Sequence, residues 1–168
     1  MDDFPIPEEL RASHWSWGKA INDAMCQGLE EALNGKIGPR EDKRKLAAAL
    51  RNNRDLKYLA FWTGYTTQHL LDSISTITTL ERLAFGHLRA SDISGLANLK
   101  KLKYLSITSL SSATTLRPLS GLRNLISLGL GISAKIKSLD DFSDSSMHSL
   151  RALHLGESSE TVVTIAVS

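Results

Sequence analysis

One six-residue phrase recurs five times in this chain: a leucine, two variable residues, a leucine, one variable residue and a further large apolar residue. It spans Leu56 to Phe61, Leu80 to Phe85, Leu102 to Ile107, Leu125 to Leu130 and Leu150 to Leu155, with successive starts 24, 22, 23 and 25 residues apart. A period of that length marks stacked units, none of which can bury its apolar face alone, so that neighbours share one continuous core. The expected architecture is a solenoid. Solenoids act mostly by presenting a long surface to a partner, so the phrase speaks to how the chain works before it says on what.

Each copy of the phrase calls for a strand, because its second and third large apolar residues alternate with others. In the first copy Leu59 and Phe61 point inward, whereas Tyr58, Ala60 and Trp62 point to the other face of the sheet. The segments leading into the strands keep a different rhythm. Leu71-Ile74-Ile77-Leu80, Ile93-Leu96-Leu99-Leu102 and Leu116-Leu119-Leu122-Leu125 step by three, which suits a 3₁₀ helix or tight helical turn whose eclipsed side chains all face the core. The fourth interval, Leu139-Phe142-Met147-Leu150, breaks that step and predicts a bulged or looser connection.

Residues 7–35 read as a helix. Pro7 suits its first position, Glu8 and Glu9 complement the dipole, Asn34-Gly35 supplies a stop, and Leu10, His14, Trp17, Ile21, Met25, Gly28 and Ala32 step by three or four as a stripe that Leu29 and Leu33 widen. A second helix is predicted from about Glu41 to Asn52, with Leu46 and Leu50 as its apolar contacts. The chain thus divides into an N-terminal helical cap over 1–53, about five repeats over 54–156, and a closing strand or truncated repeat over 157–168. A cap is needed because the first repeat would otherwise expose its core.

With 168 residues, 42% of them hydrophobic, the chain holds one extended core rather than two unrelated domains. Met1-Asp2-Asp3-Phe4-Pro5 lacks the basic start and apolar run of a secretory signal, and no apolar stretch approaches the roughly 18 residues of a membrane span. Cys26 is the lone cysteine and no Asn-x-Ser/Thr acceptor occurs, so a reducing, cytoplasmic setting is expected. The net charge of +2 is unevenly spread: the middle is basic and both ends are acidic. From Ile93 to Leu139 there is no carboxylate, while Lys100, Lys101, Lys103, Arg117, Arg123, Lys135 and Lys137 all fall there. That stretch suits an acidic partner or the acidic end of a second copy, or it forms solvated faces.

Asp92 to Leu102 and Leu119 to Leu125 carry a resemblance to the leucine-rich repeat family, covering about Leu56 to Gly156. In style the chain resembles the short-repeat subclass found in internalins and in a regulatory subunit of a protein phosphatase. The resemblance implies an α/β fold: a curved parallel β-sheet with 3₁₀ or helical segments on the convex side and, here, an N-terminal helical cap. It also implies protein recognition on the concave side and no enzymatic activity. One departure stands out. Where the family places an asparagine that bonds the backbone of neighbouring turns, this chain has Gly64, Leu88, Leu110 and Ser133.

Stacked repeats would set equivalent residues in columns at the ~4.8 Å spacing of neighbouring strands. The first column reads Tyr58, Arg82, Tyr104, Ser127, Ala152; the second Ala60, Ala84, Ser106, Gly129, His154; the third Trp62, Gly86, Thr108, Gly131, Gly156. Tyr, Trp and Arg concentrate binding energy, so Tyr58, Trp62, Arg82 and Tyr104 are the candidate anchors, with Ser106 and His154 beside them. Arg82 stacked on a tyrosine serves equally well as self-packing. A neighbouring column, Lys57, Glu81, Lys103, Ile126, Arg151, begins with alternating charge suited to fixing register, with Ile126 its odd member.

The β-branched run Thr161 to Val167 predicts a strand whose free edge would favour self-association into a homo-oligomer. Signals for chemistry are weak. Cys26 falls in line with Leu29 and Leu33 as a core residue, the five histidines show no metal-ligand spacing, and Asp140, Asp141 and Asp144 lack the glycine and final glutamate of a calcium loop. Gly129-Leu130-Gly131 is better explained by a close-packed strand than by a nucleotide loop. The reading is a non-enzymatic protein-binding module without cofactor or metal. Its rivals are nucleic-acid or acidic-partner binding through residues 93–139, and self-association through the last strand.

Overall fold

The computed structural model describes residues 50–51, 56–132, 135–136, 138–142, 147–156 and 163–166. The helices predicted over 7–35 and 41–52, and with them Cys26, lie outside the described residues except for Leu50 and Arg51. Those two are helical, and Leu50 is fully buried in the core.

The phrase forms strands. β1 (Tyr58–Thr66), β2 (Arg82–Leu88), β3 (Tyr104–Leu110), β4 (Ser127–Ile132) and β5 (Ala152–Gly156) pair in parallel and in strict sequence order, and β6 (Val163–Ala166) is added antiparallel to β5. Parallel neighbours require a crossover between them, and here each crossover is short and helical. After β1 runs the α-helix α1 (Gln68–Ile74); after β2, β3 and β4 come the 3₁₀ segments η1 (Ser94–Asn98), η2 (Arg117–Gly121) and η3 (Asp140–Phe142). One strand and one return per repeat, stacked in order, is a solenoid.

The three-residue rhythm has a direct backbone cause. In the second and third returns each apolar residue donates its N–H to the carbonyl of the one before it: Leu96 to Ile93, Leu99 to Leu96 and Leu102 to Leu99, then Leu119 to Leu116, Leu122 to Leu119 and Leu125 to Leu122, at 2.9–3.0 Å. Such i to i−3 bonds eclipse side chains three apart, and all of these residues are buried. The first return begins instead as an α-helix, with Ser75 N–H bonded to the Leu71 carbonyl, and tightens only at Ile77 and Leu80. Between η3 and β5, residues 143–146 lie outside the described part, and the rhythm resumes with Leu150 N–H on the Met147 carbonyl.

The core runs the length of the array. Leu59, Leu83, Phe85, Leu105, Ile107, Leu128 and Leu130 from the strands meet the leucines of the returns, each burial being worth roughly 2 kcal/mol. Leu88 and Leu110, at the place the family gives to asparagine, are core residues. The turns are held by main chain instead: Arg89 N–H bonds the Thr66 carbonyl and Ser111 N–H the Leu88 carbonyl. Where the strands begin, the carbonyls of Lys57, Glu81, Lys103 and Ile126 each accept two N–H groups from the next repeat.

The strands are not equal in length, and the difference appears as bulges. Phe61 pairs with Phe85 but the next pair is Tyr65 with His87, so residues 62–64 face Gly86 alone. Likewise Ile107 pairs with Leu130 and Leu110 with Ile132, setting Thr108 and Ser109 against Gly131. Among the described residues no helix is long and apolar enough to cross a membrane.

Candidate protein-binding surface

Strand register builds the outward surface. The first column is real: Tyr58 pairs with Arg82, Arg82 with Tyr104, Tyr104 with Ser127 and Ser127 with Ala152. Within it the Arg82 guanidinium lies 4.8 Å from the centroid of the Tyr104 ring, and both side chains are half-buried. That distance is inside the range in which a cation is attracted by a ring face. The side chains of Tyr58 and Trp62 lie outside the described part.

The second column also follows the register, with Ala84 paired to Ser106, Ser106 to Gly129 and Gly129 to His154. Ala84 is fully buried, Ser106 half-buried, and His154 only 9% exposed. His154 and Ser106 are therefore two strands apart with Gly129 between them. The third column does not run straight, because both bulges fall in it. Trp62 has no register partner, and Gly86 and Gly131 are the residues facing the bulged segments.

The charged column precedes the strands. Lys103 Nζ lies 2.9 Å from Glu81 Oε2, half-exposed. The Lys103 hydrogen bond and then its charge hold the Glu81 carboxyl below the usual range, with Lys57 and Lys101 adding to the effect and slight burial opposing it. An open groove of about 570 Å³ follows this edge, lined by Glu81, Lys101, Lys103, Ile126, His148 and Arg151. Asn124 also lines it, and its amide donates to the Lys100 carbonyl at 2.7 Å. Four cations of the basic stretch point to different places. Lys101 and Lys103 reach the groove, whereas Lys100 Nζ donates to the Gly121 carbonyl at 3.2 Å and Arg117 opens η2.

Two clusters have no counterpart in the sequence reading. At the far ends of β1 and β2, Tyr65 is 45% exposed, its ring 5.5 Å from that of His87, with the Arg89 guanidinium 3.2 Å from its centroid. The spacing of Tyr65 and His87 in the chain does reflect their pairing, but only once the bulge after Phe61 is known. The second cluster involves Asp141, a member of the acidic group near His148. Its carboxylate accepts the Thr115 hydroxyl at 2.7 Å and the Leu116 N–H at 2.8 Å, joining η3 to the start of the preceding return. Among the described residues no group of three or more His, Cys, Asp or Glu side chains is placed to hold a metal ion.

No protein-family model and no curated protein matches the chain. Solved structures do match. One is an internalin from Listeria monocytogenes, 20% identical over 64% of this chain, at a TM-score of 0.42. The match covers 37% of that internalin. The solenoid architecture rests on the register and hydrogen bonding above, not on that likeness.

Proposed function

We infer that this protein is a non-enzymatic binding module that recognises a partner protein on the strand face of its solenoid. Tyr58, Trp62, Arg82 and Tyr104 are its anchors, with Ser106 and His154 in the neighbouring column. The observation that supports this is the stacking of the Arg82 guanidinium on Tyr104 across adjacent strands, 4.8 Å from the ring centroid. Arginine and tyrosine are the residue types that concentrate binding energy, and side chains already half-buried and stacked on each other have less freedom left to lose when a partner arrives. Ser106 of the next column is half-buried beside them.

The test is quantitative capture from a source-cell lysate with the wild type and with a folded Tyr58→Ala, Arg82→Glu, Tyr104→Ala variant, at two salt concentrations. A protein held by the wild type and released by the variant supports the strand face as the working surface. Equal retention by both would overturn the anchor assignment.

A further inference from the structure

The groove along the edge where β2 to β5 begin has a composition that the repeat pattern alone does not reveal. Glu81, Lys103, Ile126 and Arg151 each stand immediately before a strand, and Lys101 and His148 come from the turns between. The main chain here is spent. The N–H groups of Glu81, Arg82, Lys103, Tyr104, Ile126, Ser127, Arg151 and Ala152 are all bonded to carbonyls of the preceding repeat. Any ligand must be recognised by side chains, and of the four charged ones, Glu81, Lys101, Lys103 and Arg151, three are cationic. Lys101 and Arg151 are exposed and form no ion pair among the described residues, and Lys103 carries the one pair, with Glu81.

Ile126 lies half-buried among these charges. Four neighbouring strands at about 4.8 Å span about 14 Å, the length of some four residues of extended chain at about 3.3 Å each. We propose that the groove docks an extended acidic segment of a partner protein, its carboxylates on Lys101, Lys103 and Arg151 and one apolar side chain between them on Ile126. Arg151 can grip a carboxylate through two parallel N–H bonds. A nucleic acid fits less well, because Ile126 offers a phosphate nothing. This surface is separate from the Arg82 and Tyr104 face and does not depend on it.

The test is fluorescence anisotropy on the full chain with a fluorescein-labelled Glu-Glu-Leu-Glu-Glu peptide. An alanine-for-leucine peptide and a short oligothymidylate serve as comparison probes. The leucine peptide is expected to bind most tightly and to weaken with salt. Lys101→Glu with Arg151→Glu should weaken it by about tenfold or more, while Tyr104→Ala should leave it unchanged, which separates this site from the strand face. Any of three results would overturn the proposal: equal binding of the leucine and alanine peptides, tighter binding of the oligonucleotide, or a double variant that binds as the wild type does. The change from leucine to alanine is made in the peptide, so it reads the Ile126 contact with the protein unaltered.

Discussion

The main-chain carbonyl of Thr108 in β3 occupies the space where a β-carbon on Gly131 of β4 would stand. Thr108 and Ser109 form the bulge opposite Gly131, so glycine is required there by the approach of another backbone. Gly131→Ala should therefore lower stability by about 3 kcal/mol, because backbone cannot step aside as a flexible side chain can. At Gly121 an added β-carbon would meet only ordinary contacts, 3.5 Å from Lys100 Nζ and 3.6 Å from Ala97 Cβ. Gly121→Ala should change stability by no more than about 0.5 kcal/mol. Urea denaturation of the two variants side by side checks both values.

Asp141 ties the stability of the array to pH. The Thr115 hydroxyl, with the amides of Leu116 and Arg117 and the Arg117 charge, holds its carboxyl below the usual carboxylate range, partial burial acting against them. A folded-state value below the unfolded one, about 3.9, means that the stabilisation is present above that pH and is lost as pH falls through the lowered folded value. Asp92 and Glu81 are lowered as well and act in the same direction. Asp141→Asn should lower the urea midpoint at about pH 6 and make its decline toward about pH 2.5 shallower than in the wild type. An unchanged slope would show that the Thr115 contact contributes nothing to folding.

Phe85 is fully buried and stacks on Phe61, the ring centroids 6.2 Å apart and the planes 10° from parallel. Phe85→Ala should cost about 3–5 kcal/mol and Phe85→Leu far less, about 1 kcal/mol, since leucine is what the repeat places at the equivalent position of β4, Leu130. Because each repeat is supported only by its neighbours, thermal unfolding of the alanine variant should lose its single sharp transition. Calorimetry distinguishes that from a simple shift in midpoint.

Glu81 is the one carboxylate lining the groove, and its partner Lys103 is half-exposed. Exposed pairs of this kind contribute little, so Glu81→Gln should leave the melting temperature nearly unchanged. It should tighten binding of the Glu-Glu-Leu-Glu-Glu peptide by about two- to threefold, by removing a like charge from the groove. Anisotropy titration at low salt reads the change. Weaker binding would mean that Glu81 positions Lys103 rather than competing for it.

The solenoid was legible in the chain because a stacked repeat writes its core into every copy. Leu83, Leu105, Leu128 and Leu153 fall in successive positions of one ladder, and the three-residue rhythm of Leu96, Leu99 and Leu102 is the direct imprint of i to i−3 hydrogen bonds. The first two outward columns followed for the same reason, since side chains alternate and parallel strands in order keep register. The third column did not, because a bulge depends on how much slack each strand has against its neighbour, and apolar spacing is silent on slack. Trp62 thus lost its expected neighbour, while Tyr65 gained His87. The site chemistry was hidden for a related reason. The Asp141 bond to Thr115, the Lys100 bond to the Gly121 carbonyl and the groove shared by Lys101 and Arg151 all join side chains to other repeats, set by turn geometry rather than by period. By itself the sequence determined the order of the strands and the residues of the core. Tertiary structure alone decided where the outward columns are interrupted and which charges meet, because these follow from the close approach of one backbone to the next.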